Sequence, residues 1–282
     1  MTVAAVDRCL SLIEVLAGEP EAQELSGLAS RVGLPNSAAH RILSTLMHRG
    51  WVIQEPSTQK YALSLRLSTL AFRNLDARAV PDLVQSVLQR LAERTREYCR
   101  LAIVEGEDLV WVARAQGARA GLRYDPDMGQ EIVLHATANG KAWLATLPEN
   151  EALRIVCARG FETLRPAGPN CVRDVDSLRR HLAETRARGF ATAIEEAEEG
   201  TAAVAVPFRA DEGPDAPVAG TISVAGPLLR IGPERHEALA GELQSSAAEV
   251  ATIWPLRKRQ RAEPATSWDG SDQASGPMAE LA

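Results

Sequence analysis

Apolar residues recur along this chain with two periods, and the points where the period changes divide it into elements. From Leu25 to Leu63 a short helix, a turn, a second helix and a hairpin follow without interruption. In LSGLASRVGL, Leu25, Leu28, Ala29 and Val32 stand at i, i+3, i+4 and i+7, which gathers them on one helical face, with Ser26 as the N-cap. Gly33 ends this helix, and Pro35 and Asn36 open the next. In NSAAHRILSTLMHRG, Ala39, Ile42, Leu43 and Leu46 form the inward stripe, while Ser37, Ala38, His40, Arg41, Ser44 and His48 point away from it and Gly50 stops the helix. The runs WVIQE and KYAL, joined by Pro56, Ser57, Thr58 and Gln59, read as strand, turn and strand. The order predicts a winged helix-turn-helix.

Residues 5 to 18 precede it as an amphipathic helix through Val6, Cys9, Leu10, Ile13, Leu16 and Ala17. After the hairpin, Leu65, Leu67, Leu70, Ala71 and Leu75 keep near-helical spacing and predict a linker helix, ended at Pro81. PDLVQSVLQRLAERTRE is then a helix with proline at its first position, and CRLAIV and LVWVA form a hairpin around an acidic turn. EIVLHAT reads as a strand entering a helix that starts near Asn139, and PENEALRIVCA and DVDSLRRHLAETRARG as two more helices. FATAI, AAVAVPFRA and PVAGTISVAG supply strands, with Asp211 to Asp215 as a loop between the last two, and a final helix spans about Pro233 to Ile253. Strands linked as hairpins and interleaved with helices predict an α+β architecture, an antiparallel sheet flanked by helices rather than a doubly wound parallel one. The expected division is 1–64 for the winged domain, 65–80 for the linker helix, 81–254 for a second domain and 255–282 for a disordered tail.

Charge changes the picture. The chain of 282 residues carries a net charge of −6, which at first argues against a polyanionic partner. Six basic and six acidic residues lie in 1–66, 21 and 27 in 67–256, and four of each from Arg257 onward, so the acidity belongs to the second domain. Between Leu25 and Arg66, Arg31, Arg41, Arg49, Lys60 and Arg66 oppose only Glu55. A locally basic reader on an acidic body orients the molecule on DNA. A helix braced by another presents its N-terminal outward side chains to the major groove while a hairpin reaches the flanking backbone. The contact candidates are therefore Ser37, Ala38, His40, Arg41, Ser44 and, on the wing, Lys60. Arg41 can read a guanine edge and Ser37 can meet a phosphate. The alternative is a small helical domain whose arginine face docks a protein.

No run of 18 apolar residues exists, and Asp7, Arg8 and Glu14 interrupt the N-terminal apolar stretch, so no membrane span is expected and the protein reads as cytoplasmic. Cys9, Cys99, Cys157 and Cys171 are scattered without metal spacing, which predicts neither disulfides nor a zinc site; Cys171, in a polar stretch, is the one redox candidate. No cofactor or metal is expected, and GxxxxGK[ST] is absent, which excludes a nucleotide loop of that type.

Four blocks carry a resemblance: ELSGLASRVGLPNSAAHRILSTLMHRGWV, YDPDMGQEIVLHATANGKAWLA, TRARGFATAIEEAEEG, and AAVAVPF with VAGTISVAGP. In this order the chain resembles the IclR-type bacterial transcription regulators up to about residue 254. The resemblance implies a winged helix-turn-helix, a linker helix and a GAF-like effector-binding domain for small organic acids, in dimers or tetramers on palindromic operators. The function expected is that of a ligand-responsive repressor or activator, and not an enzyme; the alternative is an enzyme or redox sensor, for which His135, Cys157 and Glu195 would be the reactive set. Read physically, the start of the helix around Gly140, Lys141 and Ala142 offers backbone N–H groups to a carboxylate; Asn139 belongs to the same ligand set, and the alternative for Lys141 is a solvent-facing side chain. The resemblance completes the ligand set with Ala193, Ala203 and Ser223, and Met128 and Trp143 are wall candidates. Ala193 and Ala203 stand where keto-acid binders of the family carry polar side chains, which favours a larger or more apolar acid, including an aromatic one. Glu195, Glu196 and Gly200 are assigned turn geometry.

Overall fold

The apolar stripes of the N-terminal segment close on one another in the computed structural model, which describes residues 3–78, 80–126, 131–163, 166–210 and 216–262. The chain divides into two units at Ala77/Arg78. In the first, α1 (Ala4–Ala17), α2 (Leu25–Arg31) and α3 (Asn36–His48) pack with the hairpin β1 (Val52–Gln54) and β2 (Tyr61–Leu63). Leu12, Leu28, Ala39 and Leu43 are fully buried between them. The turn from α2 to α3 is a Schellman motif: Leu34 N donates to Ala29 O at 2.8 Å and Gly33 N to Ser30 O at 3.1 Å. Gly33 holds φ at +65°, a conformation a side chain at that position would strain. The expected cap differs. Glu24, not Ser26, is the N-cap of α2, and no side chain bonds there. Tyr61 and Gln23 exchange two backbone hydrogen bonds at 2.8 Å, which fixes the chain just before Glu24 and starts the helix earlier.

Helix α4 (Arg66–Arg78) spans the division, and α5 (Val80–Thr95) follows with Pro81 as its second residue rather than its first. The second unit is a five-stranded sheet of β3 (Tyr98–Glu105), β4 (Asp108–Gln116), β5 (Ala191–Ile194), β6 (Thr201–Arg209) and β7 (Val218–Pro227). Its order is β4-β3-β7-β6-β5 and every neighbouring pair is antiparallel. Strand alternation sends Val204, Val206 and Phe208 to one face, where they meet Leu88 and Leu91 of α5 and Leu239 and Leu243 of α9 (Pro233–Ala262). The other face carries Ala191, Ala193, Ala203 and Ala205 under Ala138 and Ala142 of α6 (Ala138–Leu144). Beside them, Leu144, Ile155 of α7 (Glu149–Arg159) and Leu178 and Leu182 of α8 (Val175–Arg188) build a further apolar cluster with Ala102 and Leu109.

Two elements depart from their periodicity. EIVLHAT is not a strand: Ala136 N and Thr137 N both donate to Val133 O, at 3.1 and 3.0 Å, which closes a turn. Ile132 and Leu134 are buried, so the apolar alternation reflects packing of an irregular segment. The final helix continues past Ile253 to Ala262, where a disordered tail was expected from 255. LRKRQRA is rich in good helix formers but lacks an apolar period, so its helicity does not register as amphipathicity. Residues 263–282, Met128 and the loop from Asp211 to Asp215 lie outside the described residues.

Gly140 shows how tightly α6 is seated: a Cβ there would lie 2.2 Å from the Leu134 carbonyl oxygen, a backbone atom. Gly140→Ala is therefore expected to lower stability by about 1–3 kcal/mol, read as a shift of the chemical-denaturation midpoint. An unshifted midpoint would show that the α6 approach is not tight.

Candidate functional site

The outward face of α3 carries the residues selected for DNA contact. Ser37, His40 and Arg41 are exposed, and Ala38 and Ser44 half-buried. Ala39, Leu43 and Leu46 anchor the opposite face. Lys60 lies at the end of the wing turn, half-buried, with Nζ 3.9 Å from Glu24 Oε1. That pair is long and exposed enough to exchange for another partner.

In the second unit a cavity of about 670 Å³ opens over β3 and β4. Arg100, Trp111, Tyr124, Val133, His135 and Thr137 are among its lining residues. Arg100 projects from β3 with 8% exposure. Its guanidinium lies 3.9 Å from the Trp111 ring centroid and 5.4 Å from that of Tyr98. Tyr124 hydrogen-bonds it, yet Nε and Nη1 have no partner among the described residues. Burial pulls the Arg100 guanidinium below its ordinary value, though arginine remains a cation. Burial raises the Tyr124 hydroxyl. His135, 3% exposed, is held neutral by burial and by the Lys141 charge; it bonds the Phe161 backbone and leaves Nε2 without a partner. Sequence reasoning passed over Arg100. The available signal was a lone charge inside CRLAIV, an otherwise apolar run reading as a strand covered on both faces.

The ligand residues expected on α6 and the late strands meet one another, but among themselves rather than around this cavity. Asn139 Nδ2 donates to Thr221 Oγ1 at 2.9 Å. Gly140 N donates to the Thr137 side chain at 3.1 Å and Lys141 N to the Thr137 carbonyl at 3.1 Å, so these two α6 N–H groups have acceptors within the protein. Ala142, Ala193 and Ala203 pack together in the alanine layer between α6 and the sheet. Ser223, 2% exposed, pairs in register with Arg100 on one side and Ala205 on the other. Trp143 is 4% exposed and belongs to the apolar cluster beside α7 and α8. Lys141 is not solvent-facing: it is 1% exposed, bonds the Glu196 carboxylate, and has Nζ 3.1 Å from His181 Nδ1. Glu196 thus does more than shape a turn. Burial pushes Glu196 up and Lys141 down, each opposed by the attraction of its partner.

The alternative reactive set does not assemble. His135 is in the cavity wall, Cys157 is exposed, and Glu195 accepts from Gly200 N at 3.1 Å; no hydrogen bond links any two of them among the described residues. Burial pushes the Cys99 thiol up to about 12 and raises Cys171 as well, which disfavours the reactive thiolate. No described helix is long and apolar enough to cross a membrane, and no described cluster of His, Cys, Asp or Glu could hold a metal. Removing one member of the buried ion pair, by Glu196→Leu or Lys141→Met, should cost about 3–5 kcal/mol in denaturation experiments. The double variant should recover most of that loss; additive losses would mean that the pair is not a unit.

The family model for the bacterial transcriptional regulator IclR C-terminal domain matches residues 72–252, and that for the IclR helix-turn-helix domain matches residues 5–56. The transcriptional repressor IclR of Escherichia coli is 29% identical over 262 residues, covering 89% of this chain and 90% of its own. The crystal structure of an IclR transcriptional regulator from Alicyclobacillus acidocaldarius superposes with a TM-score of 0.74 at 26% identity, covering 90% of this chain and 100% of that one. An IclR homolog from Microbacterium hydrocarbonoxydans, crystallised with 4-hydroxybenzoate, gives a TM-score of 0.70 at 25% identity and covers 89% of this chain and 99% of that one. Matched in both of its units, the chain belongs to the IclR family of DNA-binding transcriptional regulators.

Proposed function

We propose that this regulator binds a palindromic operator of a metabolic operon, most simply a catabolic one, as a dimer or dimer of dimers, and that a small organic acid in its second unit sets the affinity. The division of labour is residues 1–64 for reading DNA, 65–80 as linker helix and 81–254 for the effector. The observation that carries the effector reading is the buried, incompletely paired Arg100 guanidinium in the wall of the 670 Å³ cavity. An anion entering there supplies acceptors that the protein withholds. The homolog crystallised with 4-hydroxybenzoate supports an acid as the ligand class. The acid sits against Arg100, with Thr137 linking the cavity to the start of α6 and so to Asn139, Gly140, Lys141 and Ala142. Ala193, Ala203 and Ser223 lie on the sheet face below, Ser223 beside Arg100.

On DNA, Ser37, Ala38, His40, Arg41 and Ser44 enter the major groove and Lys60 approaches the backbone. Two copies place their recognition helices about 34–36 Å apart or a multiple of it. An effector that favours one arrangement by about 1–3 kcal/mol changes operator affinity about 5- to 150-fold. Arg41→Ala is expected to weaken binding to DNA flanking its own gene by about 5-fold or more at fixed salt, in line with a lost base contact of about 1–3 kcal/mol. Fluorescence anisotropy measures this, and unchanged affinity together with unchanged site preference would remove Arg41 from the contact set.

A further inference from the structure

We propose that Arg100 makes this cavity selective for a singly charged aromatic carboxylate, an inference that rests on the cavity being the effector site. The charge argument comes first. Arg100 is 8% exposed and makes no ion pair among the described residues; Arg114, its register partner on β4, is held by Asp125 at 3.6 Å. One buried positive charge without a counter-ion is matched by one negative charge on the ligand. Glu131, Glu162 and Glu198 also line the cavity and are exposed, so a second carboxylate on the ligand meets repulsion at the mouth. Arg159, the other basic lining residue, is bound to Asp108 at 3.0 Å.

The walls supply the second half. The chain contains three tyrosines, and two of them, Tyr98 and Tyr124, meet edge to face at 6.0 Å beside Arg100. Trp111 covers the guanidinium, and Phe161 packs on His135 at 5.1 Å. A planar ring whose carboxylate reaches Arg100 extends this stack, gaining ring-to-ring contact that an aliphatic acid lacks. A cavity of about 670 Å³ would be left mostly empty by an acid of two or three carbons. His135 contributes a preference. With its bond to the Phe161 backbone made by the other nitrogen, the neutral ring presents Nε2 as an acceptor, suited to a hydroxyl on the ligand ring.

The test is calorimetric titration of the full chain with benzoate, 4-hydroxybenzoate, benzamide and terephthalate. Benzoate is expected to bind at least tenfold more tightly than benzamide, which keeps the ring without the charge, and than terephthalate, which adds a second charge. 4-Hydroxybenzoate is expected to exceed benzoate; equality would overturn the part given to His135. Arg100→Met should lose at least tenfold in benzoate affinity while its thermal midpoint equals or exceeds that of the wild type, because an unpaired buried charge has been removed. Equal binding of benzoate and benzamide by the wild type overturns the proposal whether or not the variant folds, as does unchanged benzoate affinity in Arg100→Met. If acetate or pyruvate releases the protein from DNA while none of the four aromatic probes binds, the effector reading stands and the aromatic assignment falls. If neither kind of acid binds, the effector reading itself fails.

Discussion

The second unit depends on how closely α6 can lie on its sheet. Ala138 and Ala142 rest on Ala191, Ala193, Ala203 and Ala205, and Gly140 admits the Leu134 backbone where any side chain would collide. Because the layer is built of the smallest side chains, the helix descends far enough to bury Lys141 completely. Burial of an ammonium is tolerable only with a counter-charge, and Glu196 at the end of β5 supplies it, with His181 of α8 beside it. One close approach thereby ties α6, α8 and the β5–β6 turn together. It also determines what α6 does not do. With the Gly140 and Lys141 N–H groups bonded to Thr137, those two have little left to offer a passing anion.

The placement of the open cavity follows. On the β5–β6 side of this sheet face the alanine layer and α6 leave no room, whereas on the β3–β4 side the chain supplies large rings and the irregular segment from Glu131 to Thr137. Packing of the small residues and openness beside the large ones are two outcomes of the same sheet. Arg100 stands on the open side and Ser223, its neighbour across the strands, on the border between them.

Much of this was legible in the residues. Period and punctuation located both helices of the reader and its wing, because each of those elements is half buried, the helices are followed by Gly33 and Gly50, and the strands are joined by the turn from Pro56 to Gln59. The five strands that form were found among six expected, and the antiparallel arrangement followed from short acidic and polar turns. EIVLHAT misled because alternation records which side chains are buried and not whether the backbone pairs with a neighbour. The end of α9 was missed for the opposite reason: LRKRQRA is helical without an apolar stripe to betray it. At the site, the family blocks led to α6 and its alanines, while Arg100, two of whose nitrogens have no partner among the described residues, belongs to no such block. An absence of partners is a three-dimensional property, and no spacing in the sequence encodes it.

The alanine layer has a mechanical consequence. Long side chains absorb small displacements by changing rotamer, so a surface built of them is compliant; alanine has no such freedom. A shift of α6 by a fraction of an ångström would therefore pass to β5 and β6 undiminished, and through the Lys141–Glu196 link to the turn that follows β5. A contact with so little slack behaves as a rigid coupling rather than as a cushion.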